Sequence, residues 1–216
     1  MLSTHELADL YAYPAAGRPW VRSNFVASID GAAQGADGLS GNLGGEPDAR
    51  VFRALRDLCD VVVVGAGTAR DEGYHRIDGG VLVLVSRSLD IPESLLSAGV
   101  VVITTDESPV KQRARIAKRV EVLVLGQSEV DWPEVFAEFA RRGWNRVLVE
   151  GGPSLHGALI QADLVDEVCL TVSPHLIAGD QLRIAQSTSP VLREMRLGHA
   201  VTDEGVLLTR WVRERP

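Results

Sequence analysis

The stretch Val147-Leu148-Val149-Glu150-Gly151-Gly152-Pro153-Ser154-Leu155-His156 restricts the fold of this chain more than any other. Its apolar, β-branched opening reads as a buried strand. Gly-Gly-Pro-Ser breaks that strand before Leu155, Ala158 and Leu159 take up helical spacing. Two adjacent glycines let the main chain adopt angles closed to other residues and let a ligand approach the backbone itself. Pro153 fits a first helical turn, where its missing N–H costs nothing, and the remaining amides form a partial positive end suited to phosphate. Glu150 closes the strand and faces the same crevice. On these residues alone, an ordinary strand-to-helix turn and an anion site are both open readings.

The rest of the chain supplies more units of the same kind. Ser3-Thr4-His5-Glu6 has capping-box spacing and opens a short helix through Leu10, which Pro14 and Gly17 end. Trp20 to Ile29 reads as a strand ending at Asp30-Gly31, where Asp30 can cap its own turn. Residues 31 to 46 are rich in glycine and alanine without a period, and a loop this long in a compact domain tends to face a ligand. Pro47 then stands where a first helical residue belongs, and Val51, Phe52, Leu55, Leu58 and Cys59 recur at helical spacing.

Val61 to Val64 is a continuous apolar run, the mark of a strand buried on both faces, and Gly65-Ala66-Gly67-Thr68-Ala69-Arg70 follows it. The standard dinucleotide fingerprint needs a small residue where Arg70 stands, so that reading is rejected, while Gly67 and Thr68 remain as ligand-facing backbone. Val81 to Val85 gives the next strand, and Ser86-Arg87-Ser88 closes it with a hydroxyl and a forked donor, which suits either a phosphate or a solvated loop. Strands at 100–104 and 120–125 alternate with helices opened by Ser108-Pro109 and by Asp131-Trp132-Pro133-Glu134. A helix at 153–162, a strand from Val165 to Val172, and two strands near 192–201 and 206–213 around Asp203-Glu204-Gly205 complete the chain. The expected fold class is α/β: a mostly parallel sheet, helices on both faces and an antiparallel C-terminal hairpin.

With 216 residues, 45% of them hydrophobic, the chain suffices for one core, so a single domain spanning 1–216 is expected, with 1–17 as a peripheral arm. The net charge of −7, with scattered basic residues, argues against a nucleic-acid surface. No leader pattern or membrane-length apolar run is present, so a cytoplasmic protein is expected. Cys59 and Cys169 read as buried free thiols. The five histidines have no metal-ligand spacing, so no metal is expected.

Taken in order, Arg18-Pro19-Trp20-Val21 leading to Ala27-Ser28-Ile29-Asp30-Gly31, Val64-Gly65-Ala66-Gly67-Thr68 with Glu72-Gly73-Tyr74, Ser86-Arg87-Ser88, and Glu150-Gly151-Gly152-Pro153-Ser154-Leu155 resemble one known set. They are similar to the reductase domain of the bacterial riboflavin-pathway deaminase-reductase, and most of all to its stand-alone pyrimidine reductase relatives. The resemblance runs from about Arg18 to Val212.

It implies a dihydrofolate reductase-like fold, a homodimer and NADPH-dependent reduction of the ribosyl group of 5-amino-6-(5-phosphoribosylamino)uracil to an open ribityl chain. It puts the cofactor on Thr68, Glu72, Ser86, Arg87 and the turn and helix start Gly151, Gly152, Pro153, Ser154 and Leu155 up to Ala158. It puts the substrate on Ser40, Arg56, Arg76 and Glu150. The zinc-deaminase signature of the bifunctional relatives is missing, so a reductase alone is expected. Asn42 stands where those relatives carry a tryptophan.

In the resulting expectation, the Gly151-Gly152 turn cradles the diphosphate and Ser86 with Arg87 holds the 2′-phosphate. Arg56 grips the substrate phosphate, Glu150 bonds the pyrimidine edge and loop 31–46 covers the site. Asp30, Glu150 and water are candidates for the proton source. The alternatives are a dihydrofolate or other pterin or pyrimidine reductase of this fold, and a non-catalytic nucleotide-binding protein.

Overall fold

Four consecutive valines show how the sheet is buried. In β2 (Val61–Gly65), Val61 and Val63 pack into one core while Val62 and Val64 pack into another, and each is at most 1% exposed. A strand that alternates its side chains between faces can be apolar throughout only if both faces are covered. The computed structural model, which describes residues 1–75, 77 and 79–214, covers them both.

The strands are β1 (Trp20–Ser28), β2, β3 (Val81–Val85), β4 (Val100–Thr104), β5 (Glu121–Val124), β6 (Arg146–Val149), β7 (Glu167–Ser173), β8 (Met195–Asp203) and β9 (Val206–Arg213). They form one sheet in the order β5-β4-β3-β2-β6-β1-β7-β9-β8. Every pairing from β5 to β7 is parallel, and β9 and β8 add an antiparallel edge. Helices α1 (Thr4–Leu10), α2 (Gly41–Leu58), α3 (Ala66–Asp71) and α4 (Val110–Ile116) send buried residues into one core. The other core takes those of α5 (Trp132–Arg141) and α6 (Pro153–Gln161). This is the α/β architecture that the alternation of patterns in the sequence implies. Because the strands are parallel, the turns that leave β1, β2, β3 and β6 all emerge along one edge of the sheet.

Three expectations are corrected. The N-terminal segment is no peripheral arm: Leu7 and Tyr11 are 2% and 1% exposed and belong to the core, and the Tyr13 ring lies 3.8 Å from the fully buried Arg22 guanidinium. Periodicity over so short a helix could not reveal what it packs against. The loop expected at 31–46 is shorter, because α2 begins at Gly41 and bends at Gly45 (φ 63°, ψ −161°) before its main run. Burial of Leu43 and a bond from Ser173 Oγ to the Leu43 carbonyl stabilise a turn that local propensity disfavours. The penultimate strand starts at Met195 rather than 192, leaving 174–194 without helix or strand.

Both cysteines are free, Cys169 buried and Cys59 half-buried. Among the described residues, no helix is long and apolar enough to cross a membrane, and no group of three potential metal ligands gathers.

Candidate active site

Two strand-to-helix turns meet at the centre of the sheet edge. Gly65 N–H donates to the Gly151 carbonyl at 2.9 Å, and Gly152 N–H donates to Thr68 Oγ1 at 3.2 Å. Gly151 sits at φ +118°, a backbone region that side-chain-bearing residues avoid, with Phe25 and Thr68 within contact distance of any added Cβ. Past this turn, the first bond of α6 runs from His156 N–H to the Gly152 carbonyl. The preceding amides of Ser154 and Leu155 therefore have no partner within the helix.

Thr68, Ser86, Arg87, Ser154 and Leu155 line one crevice of about 450 Å³ together with Gly65, Ala66 and Gly67. A Cβ added at Gly67 would meet nothing within 4 Å, so the backbone there opens onto free space. Ser86 Oγ accepts from Leu89 N–H at 2.9 Å, which fixes the hydroxyl in its turn. Arg87 is ion-paired with Glu129. Val85, Ser88, Glu129, Val130, Trp132 and Ala158 complete this crevice; Ala158 stands at the end of the helix start assigned from the sequence, whereas Glu129, Val130 and Trp132 were missed as site residues. The signal was present in Asp131-Trp132-Pro133-Glu134: a helix that starts after a parallel strand starts at the same edge.

Arg56 and Glu150 meet each other. Nε and Nη2 of Arg56 each donate to one Glu150 carboxylate oxygen at 2.7 Å, a two-pronged pair in which the Glu150 side chain is 1% exposed. The guanidinium also lies 4.2 Å from the Phe52 ring centre and 5.2 Å from that of Tyr74. Burial works against the Arg56 charge, but the bond to Glu150 and its negative charge outweigh it and raise the pKa. Burial, then the Glu150 charge, pushes the Tyr74 hydroxyl well above its ordinary value.

Glu72 and Ser40 also meet: Ser40 N–H donates to Glu72 Oε1 at 2.8 Å, tying the loop before α2 to the end of α3. Asn42 bonds Asp37 on the exposed side of that loop. Asp30 accepts from Ser28 Oγ and from the amides of Ile177 and Ala178, and these bonds, Ser28 first, lower its pKa to about 2. It anchors the 174–179 loop. Arg76 lies outside the described residues.

Beneath the turn, the buried His156 ring stacks on Phe25 at 4.5 Å, and its Nδ1 bonds the Ile184 carbonyl at 3.0 Å. Burial lowers its pKa to about 4 from 6.5, despite that bond. Between those values the unfolded chain binds the proton that the folded chain refuses, so stability falls as pH drops from 6.5 towards 4. The expected loss across that window is about 3 kcal/mol. Urea unfolding at several pH values should show this slope in the native protein and a flatter one in His156→Gln.

The profile of the RibD C-terminal domain family matches residues 19–208. The 2,5-diamino-6-ribosylamino-4(3H)-pyrimidinone 5′-phosphate reductase of Methanothermobacter thermautotrophicus is 30% identical over 179 residues, 77% of this chain and 82% of that protein. The riboflavin biosynthesis protein RibD of Bacillus amyloliquefaciens is 28% identical over 176 residues, covering 76% of this chain and 47% of that longer one. Among solved structures, a pyrimidine reductase-like protein from Corynebacterium diphtheriae superposes over 100% of both chains with a TM-score of 0.82 at 24% identity. Dihydrofolate reductase from Enterococcus faecalis, complexed with NADP(H) and RAB-propyl, aligns over 91% of this chain and 97% of its own, with a TM-score of 0.51 at 15% identity. The fold is thus dihydrofolate reductase-like. On the family match over 19–208 and the 30% identical relative, this chain belongs to the RibD C-terminal domain family.

Proposed function

We propose that this chain is a cytoplasmic, NADPH-dependent reductase of a phosphoribosylamino-pyrimidine in riboflavin biosynthesis. The substrate we assign is 5-amino-6-(5-phosphoribosylamino)uracil. The observation that carries this reading is the bonding of the two turns, Gly65–Thr68 and Gly151–Leu155, to each other, with Gly65 to Thr68, Ser154 and Leu155 lining one crevice together with Ser86 and Arg87.

The crevice fits a nicotinamide dinucleotide. Its glycine-lined backbone has room where side chains would intrude, and the Ser154 and Leu155 amides at a helix start suit a diphosphate. When bound, NADPH supplies the hydride. The rest falls to the protein. Thr68 holds the Gly152 turn in place, and Ser86 with Arg87 binds the 2′-phosphate. Glu72 tethers the loop that carries Ser40 over the site. Glu150 bonds the pyrimidine edge in the orientation that the Arg56 fork imposes, which leaves Arg56 Nη1 for the substrate phosphate. In this reading Asp30, already accepting from three groups, and Glu150, whose two oxygens both accept from Arg56, are ill placed to give the proton, which comes from water. A homodimer is part of the same reading, with the exposed Leu192 and Leu197 as apolar surface for a second copy to cover.

The test is loss of reduced-nicotinamide absorbance with three substrates: the phosphoribosylamino-uracil, its 2,5-diaminopyrimidinone counterpart and dihydrofolate. Turnover of the ribosylamino-pyrimidines and none of dihydrofolate is expected. The reverse pattern makes the protein a pterin reductase, and coenzyme binding without any oxidation makes it a nucleotide-binding protein. Arg87→Ala should weaken NADPH by about 2 kcal/mol, roughly thirtyfold, in a direct titration. An unchanged affinity removes Arg87 from the 2′-phosphate.

A further inference from the structure

The crevice beside the Gly-Gly turn has one cation and one anion among its described lining residues, Arg87 and Glu129, and they are paired with each other. Both are set by short, fixed segments. Arg87 follows β3 by two residues. Glu129 stands in the tight turn between β5 and α5, where a Cβ on Gly126 would meet the Glu129 carbonyl oxygen at 2.1 Å and where Asp131 N–H bonds back to the Leu125 carbonyl.

The pair does little for stability, because its side chains are 59% and 77% exposed and a pair so hydrated is easily opened. Its chemistry, however, divides between the two nicotinamide coenzymes. A guanidinium fork suits a phosphomonoester. A carboxylate accepts bonds from the hydroxyls of an unphosphorylated ribose and repels a phosphate. A site shaped for the phosphate alone has no use for a carboxylate against its arginine, and one shaped for the diol alone has no use for the arginine.

We propose that Glu129 sets the coenzyme preference of this site: it supports NADH through the ribose hydroxyls and holds back NADPH by its charge, so that the protein accepts both. This rests on the nicotinamide reading given above. Arg87 turns from Glu129 to the phosphate for one coenzyme and stays paired for the other. Glu129 is a specificity residue and takes no part in hydride transfer.

The test is direct titration of the native protein, Glu129→Gln and Glu129→Ala with NADPH and with NADH, read by quenching of tryptophan emission, since Trp132 lines the crevice. Both substitutions fall on an exposed side chain, and melting temperatures should not move. Removing the carboxylate should tighten NADPH about fivefold and weaken NADH, raising the ratio of the two affinities. If both coenzymes bind and that ratio is unchanged in both variants, this proposal fails and the nicotinamide reading stands. If the native protein binds neither coenzyme, the two fail together.

Discussion

Arg56→Ala is expected to destabilise the protein by about 3 kcal/mol. The reason is the asymmetry of the pair. Glu150 is enclosed, with 1% of its side chain exposed, whereas Arg56 keeps 24%. Removing the arginine leaves a desolvated carboxylate without its counter-charge, while Glu150→Gln leaves a guanidinium that still reaches water. Glu150→Gln should therefore cost clearly less. Combining the two should recover part of the Arg56→Ala loss, because the buried charge is gone. Arg56→Lys should fall between, since it keeps the charge but loses the fork and the packing on Phe52 and Tyr74. Urea unfolding of the four variants forms a double-mutant cycle with one conservative control. If Arg56→Ala and Glu150→Gln cost the same and simply add, the pair is not the enclosed unit described.

The second large effect is expected at Gly157. An added Cβ there would lie 1.9 Å from the Gln186 carbonyl oxygen and 2.7 Å from its carbonyl carbon, both main-chain atoms that cannot swing aside. Two effects oppose. Alanine gains about 1 kcal/mol over glycine within a helix. Against this, residues 184–186 must lift off α6, losing the bond from Gln186 N–H to the Pro153 carbonyl and the His156 bond to the Ile184 carbonyl, and exposing the Phe25–His156 stack. The clash wins, and a net loss of about 3 kcal/mol is expected, which lowers the melting temperature by roughly 10 °C in a domain of this size. Gly67→Ala is the control: its Cβ meets nothing within 4 Å, so it should be neutral or stabilising. A melting temperature for Gly157→Ala equal to that of the control would mean that the 184–186 segment does not lie on α6.

The same segment marks the limit of what could be read from the residues in order. Pro153 and the helical spacing of Leu155 and Leu159 announce α6 and its start, and the helix runs from Pro153 to Gln161. Nothing in Gly157 says that another stretch of backbone, nearly thirty residues later, crosses it. Likewise, Arg56 and Glu150 were each legible as substrate candidates, but not as partners, because their meeting depends on α2 lying across the end of β6. Glu72 and Ser40 were assigned to different ligands and turn out to share a bond. Asp30 was legible as a residue of its own turn, but not as the acceptor for the amides of Ile177 and Ala178 in the 174–179 loop.

The sequence by itself determined the layered α/β plan and the edge at which the candidate site lies. Strand burial and turn chemistry are short-range signals: four valines in a row, a doubled glycine, a proline at a helix start. It also carried the family, through the order of its motifs. Only the tertiary structure decided which side chains face one another: Arg56 with Glu150, Arg87 with Glu129, Gly157 beneath Gln186. Each of those contacts joins segments remote in sequence, and their geometry is set by the packing of two cores against one sheet, which no local pattern encodes.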